Sequence, residues 1–68
     1  MNKLLLEYEI KSHGHTIEDF CHAIGINRTT YYRKVGGKSE FTQSEIQKAI
    51  DYLNLSDPGP IFFSKKVS

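Results

Sequence analysis

Between residues 20 and 39 the chain carries Arg28, Arg33, Lys34 and Lys38 and no acidic side chain. This local balance of +4 stands between −2 over residues 1–19 and −3 over residues 40–57, and Lys65 and Lys66 add +2 at the end. The whole-chain charge of +1 conceals the asymmetry. An uninterrupted group of cations flanked by acids is the pattern of an anion-binding face, and the commonest large polyanion in a cytosol is nucleic acid. For four charges alone a solvated helix face is the simpler account, so the surrounding spacing has to decide.

Other residues offer other chemistry. His13, His15, Cys21 and His22 are metal-ligand types, but Cys21 and His22 are neighbours on a helix and point about 100° apart, while the histidines flank a loop. Their spacing predicts loop and surface histidines rather than a metal centre, and no cofactor is expected. Cys21 as a nucleophile needs a base, an orienting partner and a pocket, for which so short a chain leaves little room. A small packing residue is the reading taken. Tyr31 and Tyr32 are the types that stack on bases, but consecutive residues on a helix cannot present both rings to one strand. One ring is expected in the core and the other at the surface. Phe62 and Phe63 are read as core closure in preference to a partner-binding patch.

The elements that hold these residues follow from caps and periodicity. Leu4, Leu5, Leu6, Tyr8 and Ile10 form an apolar stripe that predicts a first helix over 2–12, stopped by Gly14. Thr16 with Asp19 is a relative of the capping box and opens a second helix over 17–24, with Phe20, Cys21 and Ile24 on one side and Gly25 closing it. Asn27 caps a third helix that runs to Val35, where Gly36 and Gly37 end it. Thr42 with Glu45 is a full capping box ahead of Ile46, Ala49, Ile50 and Leu53, which predicts a fourth helix over 43–53. Ser56-Asp57-Pro58-Gly59-Pro60 then limits any regular helix. Ile61, Phe62 and Phe63 still need cover, either as one helical turn closing the core or within a strand over 61–67 whose edge invites a second subunit.

Sixty-eight residues make one small domain, spanning 1–68, and exclude large catalytic folds. A hydrophobic fraction of 38% with four Tyr and four Phe is too apolar for a disordered tail. A single cysteine cannot form an internal disulfide, which favours a reducing, cytosolic setting. Met1 to Ile10 is too short and too acidic for a signal or membrane segment.

Thr16 to Lys38 is therefore two short helices joined by a turn on Gly25 and Ile26, which is helix-turn-helix spacing. Cys21 supplies the small residue at the crossing, Gly25 the positive φ, and Phe20, Ile24, Ile26 and Tyr31 the apolar anchors. At about 100° per residue, Arg28, Thr29, Tyr32 and Arg33 share one face of the third helix, with Asn27, Thr30, Tyr31 and Lys34 on the opposite side. One side docks and the other is free to read.

With T-I-E-D-F-C-H-A-I-G-I-N-R-T-T-Y-Y-R-K, then K-S-E-F-T-Q-S-E-I and finally L-N-L-S-D-P-G-P-I-F-F, the chain resembles the phage-type Cro and repressor helix-turn-helix regulators, the lambda-repressor-like class. The resemblance covers most of the chain and implies an all-α, compact bundle of four to five helices, with the third entering the DNA major groove. It implies base contacts from Arg28, Thr29, Tyr32 and Arg33, and backbone contacts from Thr16, Ile17, Lys38 and Ser39. It also implies double-stranded DNA as partner, a homodimer on a palindromic site, no small-molecule substrate, no catalysis, and a place in the bacterial cytoplasm. The residue types agree. Arginine can grip guanine O6 and N7, threonine can meet thymine, and helix N–H groups with the Thr16 hydroxyl suit a phosphate. The chain departs from the class at Lys34, where many members place an aliphatic residue, so either its methylene stem or Val35 takes the anchor role. It departs again at D-P-G-P, where members begin their last helix. An adaptor that turns the basic helix toward an acidic protein surface is the alternative reading.

Overall fold

Each of the four longer helices begins where a short polar side chain can take up a free backbone N–H. The Asn2 and Asn27 side-chain oxygens accept from Leu5 N–H and Thr30 N–H at 3.0 and 2.8 Å, and Thr16 and Thr42 each close a full capping box with Asp19 and Glu45. In the computed structural model, which describes residues 1–63, these starts give α1 (Lys3–Ser12), α2 (Ile17–Ile24), α3 (Arg28–Val35) and α4 (Gln43–Leu53). A single turn, α5 (Gly59–Phe62), follows. The described residues are all-helical, with no strand.

The core is Leu6 and Ile10 from α1, Phe20, Cys21 and Ile24 from α2, Tyr31 and Val35 from α3, Ala49 and Leu53 from α4, and Ile61 from α5. Helix α2 is the hub, packing against α1, α3 and α4. Its small Cys21, buried at the crossing, lets α3 approach. Helix α5 closes on α1, where Asn2 N–H donates to the Ile61 carbonyl at 2.7 Å. Of the alternatives for this segment, a helical turn is what forms over Gly59–Phe62; the rest of the expected strand, 64–67, lies outside the described residues, as do Lys65 and Lys66.

Two expectations need correction, and one open alternative is decided. Leu4 and Tyr8 are not part of the buried stripe but stand 77% and 65% exposed, because only the Leu6–Ile10 edge of α1 faces α2 and α5. Phe63 is 61% exposed, since α5 ends one residue earlier, whereas Ile61 is buried and Phe62 packs against the core with its ring edge-on to Phe41. At Lys34 the alternative with Val35 as anchor is the one that forms, and the lysine head is engaged within the fold. Its Nζ donates to Glu45 Oε1 at 2.6 Å and to the Glu40 carbonyl at 3.1 Å, above the Phe41 ring, while Val35 takes the buried anchor position.

The buried ring of Tyr31 packs edge-on against Phe20, but its hydroxyl has no hydrogen-bond partner among the described residues. Burial drives this phenol far above its ordinary value, with Glu7 adding to the effect. The folded state thus holds the protonated form, whereas the unfolded chain releases that proton near pH ~10. The protonated phenol's share of stability is full below that pH and declines above it, by up to ~1.4 kcal/mol per pH unit. Tyr31→Phe is expected to raise the unfolding free energy by ~1 kcal/mol at neutral pH and to remove this alkaline slope. Urea titrations at neutral and alkaline pH check both, and a less stable variant would mean that the hydroxyl has found a partner.

Candidate nucleic-acid interface

The projection of α3 depends on the turn before it. At Gly25 the backbone takes φ +83°, a left-handed conformation that costs other residues ~1–2 kcal/mol. Gly25 and Ile26 N–H both donate to the Cys21 carbonyl, at 2.9 and 3.0 Å, which folds the chain back tightly and presses Ile26 against the core. Lys48 of α4 reaches across this turn, its Nζ 4.0 Å from where a Cβ on Gly25 would stand. Sequence reasoning left Lys48 in an acidic segment and missed it, because only the packing of α4 on α2 brings it there.

With Tyr31 and Val35 turned inward, Arg28, Thr29, Tyr32 and Arg33 are all exposed. They do not form one uniform face. Thr29, Tyr32 and Arg33 line a shallow depression together with Gly36 and Lys38. After α3 the chain doubles back, Lys38 N–H donating to the Arg33 carbonyl at 2.9 Å and Gly37 taking φ +88°, and this sets Lys38 beside Arg33. Among the described residues no acidic side chain lines the depression. The Tyr32 ring stands edge-on to that of Tyr31, ring centroids 5.3 Å apart.

Arg28 stands at the edge, in the neighbouring groove between α2 and α3, with Glu18, Cys21, His22, Ile26 and Asn27. The Tyr32 phenol beside it raises its guanidinium further above an already high value, and Glu18 acts in the same sense. Arg28 is thus charged but shares its surroundings with an acid, which Arg33 does not. Burial pushes the Cys21 thiol up and keeps it protonated, although Arg28 works against this.

The expected backbone contacts divide similarly. Lys38 and Ser39 are exposed beside the depression, Thr16 is exposed at the start of α2, and Ile17 is half-buried against the core. The Thr16 hydroxyl accepts from Asp19 N–H, and the Asp19 carboxylate accepts from Thr16 N–H, both at 3.0 Å. Those bonds hold the Asp19 carboxyl below its usual range. A phosphate at this helix start would use the Ile17 and Glu18 N–H groups against the carboxylates of Glu18 and Asp19, a weaker site than the sequence pattern suggests.

At the start of α4, burial pushes the Glu45 carboxyl up, but the bonds from Lys34 and Thr42 outweigh it and leave it below its ordinary value. This contribution to stability is present above the unfolded carboxyl's range, near pH ~4.3, and is lost as pH falls through the lower folded value. His13 and His15 lie with parallel rings, and His15 stacks on Tyr52 with centroids 4.4 Å apart. Among the described residues no three of His, Cys, Asp or Glu are grouped to hold a metal ion, and no helix is long and apolar enough to cross a membrane.

What fold and site define together is a small all-α domain with an exposed basic helix set behind a tight glycine turn. Comparison with protein-family models, with curated proteins and with solved structures gave no match.

Proposed function

We propose that this chain is a sequence-specific, double-stranded DNA-binding regulator of the phage Cro and repressor kind, which places α3 in the major groove and acts by occupying an operator, without catalysis. The observation that carries the reading is the division of labour among the cations. Lys34 is consumed by Glu45 within the fold, while Arg33 and Lys38 line an acid-free depression on the outward face of α3 beside Thr29 and Tyr32. A helix with this face suits the major groove, where arginine reads guanine and lysine meets phosphate. Arg28 adds a third cation at the edge, and the cytoplasm of a bacterial host is the setting that fits. A homodimer would place two such helices on half-sites about one helical turn (~34 Å) apart.

Selection of bound duplexes from a random pool at physiological salt tests the reading. A single enriched half-site supports a monomer and a spaced palindrome a dimer; no enrichment, with all duplexes competing equally, supports the acidic-surface adaptor instead. Within this reading, Lys38→Ala is expected to weaken binding evenly across sequences and to lower the slope of log affinity against log salt by about 1. Fluorescence anisotropy titrations over a range of salt concentrations measure it, and an unchanged slope would remove Lys38 from the interface.

A further inference from the structure

The depression on α3 has a feature that phosphate attraction does not account for. Its wall is the Tyr32 ring, 45% exposed among otherwise polar neighbours, and Gly36 leaves one side without a side chain. The Tyr32 ring lies edge-on to the buried ring of Tyr31. Thr29, which carries a methyl group, and Arg33, with its methylene stem, line the same depression. The result is an open, largely carbon-lined notch beside the guanidinium proposed above to read guanine. In the major groove the C5 methyl of a pyrimidine is the apolar group that projects from a base edge, among donors, acceptors and flat ring C–H positions.

We propose that Tyr32, with Thr29 and the Arg33 guanidinium, forms a reader for the C5 methyl of a pyrimidine in the base pair next to the guanine that Arg33 contacts. The inference rests on the DNA-binding reading above and adds a ligand group to it. Two pyrimidines carry that methyl, thymine and 5-methylcytosine, and the notch recognises the feature they share. Positive charge supplies the complementarity for the surrounding phosphates, with Lys38 on the same rim and Arg28 in the adjoining groove.

The test uses the full chain and the best duplex recovered from the random pool. Each thymine is replaced in turn by deoxyuridine, which deletes only the methyl, and each cytosine by 5-methylcytosine. If the notch holds thymine, one deoxyuridine substitution next to the Arg33-dependent guanine weakens binding about fourfold, the fold-change that corresponds to ~0.8 kcal/mol for one buried methyl-sized group. If it holds methylated cytosine, one 5-methylcytosine strengthens binding by a similar factor. In either case Tyr32→Ala abolishes the difference between methylated and unmethylated duplexes, whereas Tyr32→Phe, which keeps the ring, retains it. A specific duplex whose affinity ignores every methyl, or a methyl effect that survives in Tyr32→Ala, overturns the reader while leaving the DNA-binding reading intact. Failure to recover any specific duplex overturns both.

Discussion

Phe20→Ala is expected to leave the chain largely unfolded at ordinary temperature. Phe20 is fully buried in α2, the helix against which α1, α3 and α4 pack, and its ring meets Tyr31 edge-on and Tyr52 at an angle, with centroids 6.0 and 6.4 Å apart. Truncation of such a ring costs ~3–5 kcal/mol, because the removed carbons lose their burial and the cavity collapses only in part. The total stability of a chain this short is ~3–10 kcal/mol, so one substitution removes a large share of it. Loss of the helical circular-dichroism signal and of a cooperative melt would show the effect. A melt within a few degrees of the parent would mean that the Phe20 site can repack and that α2 is not the hub. Leu4→Ala is the contrast, since Leu4 stands in solvent and its truncation is expected to change stability by no more than ~0.5 kcal/mol.

The second large effect concerns binding and leaves the fold alone. Arg33→Ala is expected to reduce affinity for the preferred duplex by ~1–3 kcal/mol, or about 5- to 160-fold, and to relax the preference at one base pair. The magnitude follows from a guanidinium that is exposed and lies in a depression free of acids. Arg28→Ala is expected to cost less, because its groove contains Glu18. Competition binding with duplexes that vary at each position measures both. Equal losses for Arg33→Ala on every sequence would make it a phosphate contact, and a larger loss for Arg28→Ala would move the centre of the interface toward α2.

How much of this was legible beforehand depended on the range of the interaction. Thr16 with Asp19, Thr42 with Glu45, Asn27 and Gly25 act within three or four residues, so the limits of α2, α3 and α4 could be read from spacing alone. The same held for the inward Tyr31 and outward Tyr32, which helical periodicity separates. Leu4, Tyr8 and Phe63 misled because their exposure depends on which neighbours arrive, and a periodic pattern does not say how wide a face those neighbours cover. Lys34 shows the limit best. Its partner Glu45 is eleven residues away on another helix, so a residue counted in the local charge of +4 proves to tie the end of α3 to the start of α4. Arg28 was grouped with Arg33 on periodicity, while the proximity of Glu18 that separates them depends on the crossing of α2 and α3.

The segregation of α3 into an inner edge of Tyr31 and Val35 and an outer edge of Arg28, Thr29, Tyr32 and Arg33 has a consequence for how such a domain can change. Substitutions at solvent-facing positions without structural partners usually alter stability by less than ~0.5 kcal/mol. Thr29 and Arg33 can therefore be exchanged for other side chains while the scaffold stays assembled. On the DNA-binding reading proposed above, new target preferences are then reachable by single steps that keep a folded protein at every stage, and the same scaffold can be retargeted by rewriting a few letters of one helix.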